Sequence, residues 1–322
     1  MLGEFRTMLE HGTVLGSIVT VSRCSQLVLS VCRACFSTPR VGSASKGRET
    51  CPVEGTSPKQ LSVMAGSTHR LTLGSGMVLL LLLLLLPGRR SQTSNYYCQR
   101  SMCPTGDAHV GCYAELPFGK SCQGQKPQLV PMTPERKAMI LQQHNRQRQR
   151  LALGTLPGYG PAYHMPQLYW DDELQYLAEV NARSCVYAHD HCRNTYSFPR
   201  AGQNIAIIRH FGLNLTKESV YTYIIDHWYN EYPLATTFVD QYPVNYVGPE
   251  FAHFTQIVND RAVRMGCGMV SWETYNGYVW TNDYLVCNYG YSNVIGDRSY
   301  TKGPVAAGCT TGRSVVYPGL CL

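Results

Sequence analysis

Four short stretches of this chain hold side chains that can do chemistry together. "EFAHFTQIVND" (250–260) sets His253 in a short apolar run, and "CVYAHDHC" (185–192) frames His189 and His191 between two cysteines. "HWYNE" (227–231) offers Glu231 beside Trp228, while "AGQNIAI" (201–207) offers two amides, Gln203 and Asn204. Brought together, two neutral imidazoles and a carboxylate form a zinc or copper set, with water completing the shell. An imidazole is equally an acid–base catalyst or a satisfied packing residue, and all three roles are open to His253. The ligand spacing is scattered, and no HExxH helix fixes two ligands together. Side chains two apart share a face only in an extended chain, so His189 is expected to point inward and His191 to be solvated. A serine or cysteine hydrolase is the weaker reading: no GxSxG elbow occurs, and the cysteines behind the apolar leader are needed for pairing.

The elements that must position these residues have clear starts and stops. Thr133-Pro134-Glu135 combines an N-cap residue, a first-turn proline and an early acid, which predicts a helix through Met139, Ile140, His144 and Leu151 to a stop at Gly154. His144 and Arg148 share a face of it and are expected to anchor the helix to neighbouring loops; Arg146 and Arg150 fit a solvated face. "WDDELQYLAEVNARSC" (170–185) predicts a second helix capped by Asp171. A third starts near Thr216 with Val220, Ile224 and Trp228 inward, and the stretch from about Pro249 to Asn259 forms a short fourth. Two strand-like runs follow, 263–272 and 278–289, separated by Asn276-Gly277, a strong hairpin signal that lets Cys267 and Cys287 face each other. Helices followed by an antiparallel hairpin give an α+β order. The tyrosines at 221, 223, 229, 232, 242 and 246 either line an amphipathic groove or cover the sheet.

Ahead of these elements lies a different composition. Leu79 to Leu86 form an unbroken leucine run after Met77-Val78, closed by Pro87-Gly88-Arg89-Arg90. About ten apolar residues are too few for a membrane-spanning helix and suit a signal-peptide core. Residues 77–94 are therefore read as a signal-peptide region and 1–76 as a non-native or disordered leader, with translation starting at Met64 or Met77; an internal signal-anchor is the alternative. The first 94 residues carry 10 Lys+Arg against 4 Asp+Glu, and the rest carries 18 against 17. The near-neutral remainder gives no warrant for nucleic-acid binding. Ten of the 14 cysteines follow the leucine run, which reads as five disulfides in an oxidising compartment. The sequon Asn214-Leu215-Thr216 fits glycosylation of an exported chain.

Taken in order, these motifs closely resemble the superfamily of cysteine-rich secretory, antigen 5 and pathogenesis-related 1 proteins (the CAP superfamily). Within it the chain looks most like the insect antigen-5 group of venom allergens and salivary proteins. "AHFTQIVN" matches the first signature, GHYTQxVW, and "YLVCNYGYSN" the second, LVCNYGPxGN. "HNRQR", "LYWDDELQYLA", "YAHDHC", "GQNIA" and "WYNE" fall in the family's order, and "NYYCQRSMC" resembles the start of the group's amino-terminal cysteine pattern. The resemblance runs from about Asn95 to Asp297. It divides the chain into a cysteine-rich segment (95–132), a CAP domain (133–297) and a carboxyl-terminal extension with one disulfide (298–322).

The resemblance implies a three-layer α-β-α sandwich around a three-stranded antiparallel sheet. It also implies the disulfides Cys98–Cys112, Cys103–Cys192, Cys122–Cys185 and Cys267–Cys287, with Cys309–Cys321 remaining. A central cleft would be lined by His189, His253, Glu231 and, where the family has a second glutamate, Gln203. An amide there removes a negative charge that would hold a dication and one candidate general base. Asn259 and Tyr291 replace the family's usual Trp and Pro and are expected to loosen the cleft rim. The function expected is that of a secreted, non-enzymatic binding module for small lipid, sterol or amine ligands or an extracellular protein, without nucleic acid or a stable membrane span. The alternative is a zinc- or copper-dependent activity at His189 and His253.

Overall fold

The computed structural model describes residues 96–113 and 117–322, so the expected leader and signal peptide lie outside the described residues. Short 3-10 turns at Arg100–Met102, Val110–Tyr113 and Lys120–Cys122 lead into strand β1 (Gln128–Val130). Helix α1 (Pro134–Ala152), strands β2 (Ala162–His164) and β3 (Tyr169–Trp170), and helix α2 (Asp172–Arg183) follow. Next come β4 (Gly202–His210), α3 (Lys217–Tyr229), the six-residue α4 (Ala252–Ile257), and strands β5 (Arg264–Tyr275), β6 (Val279–Tyr289) and β7 (Thr301–Lys302). Three helices start as their sequences dictate. Thr133 Oγ1 accepts from the Arg136 N–H, Asp171 Oδ1 from Leu174 and Thr216 Oγ1 from Ser219. Helix α4 is shorter than the expected span and begins after Phe251, whose side chain caps nothing.

Strand order in the main sheet is β1-β5-β6-β4, antiparallel throughout, with two-residue β3 joining β5 in parallel. The three long strands are the expected antiparallel core; β1 and β3 enlarge it at the β5 side. Asn276-Gly277 turns the β5–β6 hairpin, with Gly277 at φ 90°, and the register sets Cys267 opposite Cys287, which are bonded. The other disulfides are Cys98–Cys112, Cys103–Cys192, Cys122–Cys185 and Cys309–Cys321.

Alternation along the strands builds two cores, one per face of the sheet. Ile205, Val270, Tyr284 and Val286 pack with Ala178 and Ala182 of α2 on one face. Ile208, Met269, Leu285 and Tyr289 pack with Ile140, Ile224, Trp228 and Phe254 of α1, α3 and α4 on the other. Helix α2 lies almost in backbone contact with β5, because a Cβ on Gly266 would sit 2.2 Å from the Gln175 nitrogen and one on Gly268 2.6 Å from that of Glu179. The result is a helix–sheet–helix sandwich, an α+β fold stapled by disulfides. Residues 298–322 share in it: Tyr300 and Leu320 enter the larger core, and Cys321 exchanges backbone hydrogen bonds with Met165 and Gln167. No helix of the described residues is long and apolar enough to cross a membrane.

Two buried side chains of α1 tie the layers together. All five N–H donors of Arg148 are used, on the carbonyls of Pro166, Ile257, Asn259 and Ala262, at 2.7–3.2 Å. Tyr221 and Tyr229 are buried in this helical core, Tyr232 and Tyr242 pack against it partly buried, and Tyr246 is exposed. His144 donates from Nδ1 to the Ile140 carbonyl and accepts at Nε2 from the Tyr289 hydroxyl, each at 2.9 Å. Asn204 Nδ2 in turn donates to that hydroxyl, linking β4, β6 and α1 in one chain of hydrogen bonds.

Burial holds the His144 imidazole at a pKa of about 4, against 6.5 in the unfolded chain. Because the folded value is the lower one, the unfolded state takes up the proton first. Its stabilising effect is complete above pH 6.5 and is lost as pH falls toward 4. Urea unfolding at pH 7 and pH 5 should therefore show a loss of about 2 kcal/mol in the native chain that is absent in His144→Gln. Equal losses in both would assign the acid sensitivity to other groups.

Candidate functional site

The four expected site residues come from both layers and meet at the end of the sheet where β4 begins. Gln203 lies on the α2 side of β4, in register with Asn288 of β6, while Asn204 faces α4. His189 comes from the loop after α2, Glu231 from just beyond α3, and His253 from α4. His189, Gln203 and His253 line one cleft of about 870 Å³. Tyr242, Tyr246, Val247, Phe251 and Ile295 give it an apolar lip, and Arg193 and Glu250 also border it. His191 is exposed as expected, but His189 is exposed as well, so burial does not separate the pair; what sets His189 apart is that it lines the cleft and bonds to Gln203.

Each imidazole is held by its Nδ1. His253 Nδ1 lies 2.6 Å from Glu231 Oε1, and His189 Nδ1 lies 2.7 Å from Gln203 Oε1. The Glu231 carboxylate can only accept, so His253 donates to it. Gln203 is oriented by its other end: Nε2 donates to Asp190 Oδ2 at 2.7 Å and Asn288 Oδ1 at 3.0 Å. Its oxygen is thereby turned to His189, which donates from Nδ1. Both rings are left with Nε2 for the cleft. Trp228 stacks on the His253 ring, centroids 5.6 Å apart, and His253 is 8% exposed.

Glu231 has a second task. Its Oε2 accepts from the backbone N–H of His253 at 3.0 Å and of Phe254 at 3.2 Å, at the amino end of α4. A carboxylate there satisfies orphan donors and complements the helix dipole. Arg148 takes the Ile257 carbonyl at the other end. Both ends of the helix that carries His253 are thus closed by charged side chains from other elements.

His189 is open to the cleft yet surrounded by protein. Desolvation lowers its pKa; the Gln203 hydrogen bond and Asp190 oppose this, and Arg193 and His253 add to it. The ring is therefore neutral near pH 7. Asp190 is the residue that spacing alone did not single out, although it stands between His189 and His191. Its Oδ2 also accepts from Asn181 Nδ2 at 2.8 Å and its Oδ1 from Arg193 Nε at 2.7 Å. The carboxylate missing at position 203 sits one hydrogen bond further back, paired with an arginine.

The residues present do not fit a zinc or copper centre. Of the four expected residues only the two imidazoles keep a free donor, Nε2, since both oxygens of Glu231 and both ends of Gln203 are committed. Catalytic zinc takes three protein ligands. Among the described residues no group of three or more His, Cys, Asp or Glu is placed to hold a metal ion. Among the described residues no hydroxyl or thiol bonds to either imidazole as a nucleophile would to its base.

The rim is tied down rather than loosened by the two departures from the family signatures. Asn259 is buried, donates to the Ser292 carbonyl at 3.3 Å and accepts from the Arg261 N–H at 3.0 Å. The Tyr291 carbonyl accepts from Gln256 Nε2 at 2.7 Å, and Arg261 lies over its ring at 4.5 Å. The Asn259 side chain brings hydrogen bonds of its own, and the Tyr291 hydroxyl accepts from Arg200 and Arg261, each at 3.4 Å.

A helix–sheet–helix sandwich with this cysteine framework and a two-histidine cleft defines a class of protein, and the sequence comparison agrees. Residues 141–289 match the cysteine-rich secretory protein family, and the chain belongs to it as an antigen-5-like member. Venom allergen-1 of Aedes aegypti is 44% identical over 226 residues, covering 70% of this chain and 86% of that protein. Antigen 5 like allergen Cul n 1 of Culicoides nubeculosus is 35% identical over 196 residues, covering 58% and 88%. The crystal structure of NaASP2 with Zn2+ aligns at 24% identity and a TM-score of 0.44 over 59% of this chain and 96% of that one, too distant to bear on metal binding here.

Replacing Glu231 should unseat both α4 and the His253 ring. Glu231→Gln turns an acceptor of three hydrogen bonds into a group with one oxygen, and thermal or urea unfolding should register a loss of about 2–3 kcal/mol. His189→Ala, at the open cleft wall, should cost less than about 1 kcal/mol. A reversed order would refute the assignment of Glu231 as the clamp.

Proposed function

We propose that this protein is an exported, non-enzymatic binding module whose cleft holds a small apolar or amphipathic organic ligand. The observation that carries this reading is the lining: two oriented Nε2 atoms set behind an apolar lip of Tyr242, Tyr246, Val247 and Phe251. Pockets for small ligands combine an apolar wall with a few placed polar groups, and here an apolar lip meets a polar floor, which suits an amphipathic ligand. Five disulfides keep the walls rigid and suit an oxidising compartment. Capture of a partner protein at the same mouth is the extracellular alternative, and Val247, 96% exposed, gives it a contact point.

Binding of the probe 1-anilinonaphthalene-8-sulfonate should weaken about tenfold in Tyr246→Ala and in His253→Ala, the loss expected from about 1.4 kcal/mol of contact. Ester and peptide substrates should be turned over no faster than background. Hydrolysis above background that His253→Ala abolishes would overturn the non-enzymatic reading. Asn214 is exposed in the loop between β4 and α3, and the exported protein should carry a glycan there. Peptide-N-glycosidase treatment should shift the mass of the native chain and leave that of Asn214→Gln unchanged; no shift in the native chain would refute it.

A further inference from the structure

We infer that Gln203, made obligatory by Asp190, sets the ligand class of the cleft: it holds His189 for an organic ligand and withholds the site from divalent cations. The inference rests on the cleft being the ligand site proposed above. It begins with Asp190, whose side chain is about nine-tenths buried. That carboxylate is charge-paired with Arg193 and also accepts from Asn181 and Gln203.

Its Oδ2 lies 2.7 Å from Gln203 Nε2, so position 203 must supply a donor. A glutamate there would set two carboxylates against each other, and at that separation one of them must keep a proton. Asn288 enforces the same choice. Its Nδ2 is spent on the Leu174 carbonyl at 3.1 Å, which leaves Oδ1 to receive the second Gln203 N–H. Two independent acceptors therefore demand an amide nitrogen, and the amide oxygen is forced toward His189.

The consequence for ligands follows from charge and donor count. A carboxylate partner on a metal-ligating histidine raises its basicity and neutralises part of the ion's charge; a neutral amide orients the ring without doing either. With Asp190 held by Arg193, the groups that hold the His189 ring offer a dication no compensating charge. Gln203 acts through His189 and is thus a positioning residue. Its position on β4, one residue after Gly202, is fixed by close packing, since a Cβ on Gly202 would lie 2.3 Å from Gln256 Oε1.

The test is calorimetric titration of zinc into the full-length exported protein and into Gln203→Glu combined with Asp190→Asn in an Asn288→Ala background, which moves the carboxylate next to His189 and removes both acceptors that face position 203. The native chain should show no zinc binding in the micromolar range that depends on His189 and His253. The combined variant should bind zinc about 10- to 100-fold more tightly, the usual weight of a carboxylate behind a ligating histidine. Gln203→Glu alone should gain less, because its proton is shared with Asp190. Micromolar zinc binding by the native chain that both His189→Ala and His253→Ala remove would overturn the inference, as would a folded combined variant that gains none. Should the combined variant fail to fold by circular dichroism, the native titration still decides. Probe binding to the same native sample reports separately on the cleft as an organic ligand site.

Discussion

A six-residue helix has no stability of its own, and the cleft of this protein is built on one. Isolated helices below about 12–15 residues are marginal in water, because the nucleation cost is spread over too few hydrogen bonds. Helix α4 persists because Glu231 closes its first N–H groups and the buried Arg148 closes its last turn. The same carboxylate that caps the helix holds the His253 ring, so the backbone and the functional side chain are fixed by one group. The direction in which His253 faces depends on that arrangement.

The opposite wall obeys the same rule with a different partner. His189 is also gripped at Nδ1, but by an amide whose own donors are held by Asp190 and Asn288. One imidazole thus has a charge beside it and the other has a dipole, with the nearest carboxylate bound to Arg193. That asymmetry separates two uses of a histidine pair. Carboxylates behind both rings would favour a cation; the amide behind one is what supports the organic ligand we propose.

Much of the frame was legible in the sequence because its signals are local. Thr133, Asp171 and Thr216 announced three helix starts, Asn276-Gly277 the hairpin, and the signatures around His189, Glu231 and His253 the cleft residues. What was not legible depends on contacts distant in sequence. Helix α4 was drawn too long, since its true ends are set by Glu231 and Arg148 rather than by residues beside it. Asp190 drew no notice because only the register of β4 with β6, and the loop after α2, bring it behind Gln203. Asn259 and Tyr291 read as losses of packing, when the fold sets the Asn259 amide on the Ser292 carbonyl and the Tyr291 ring and hydroxyl against Arg261.

Both imidazoles are gripped at Nδ1, with Nε2 left for the cleft. Nitrogen-15 NMR of the native protein at neutral pH reads this directly from the ring nitrogens of His189 and His253. It should find a slowly exchanging hydrogen on Nδ1 of each ring. A hydrogen on Nε2 alone, or the averaged shifts of a freely exchanging imidazole, would contradict it.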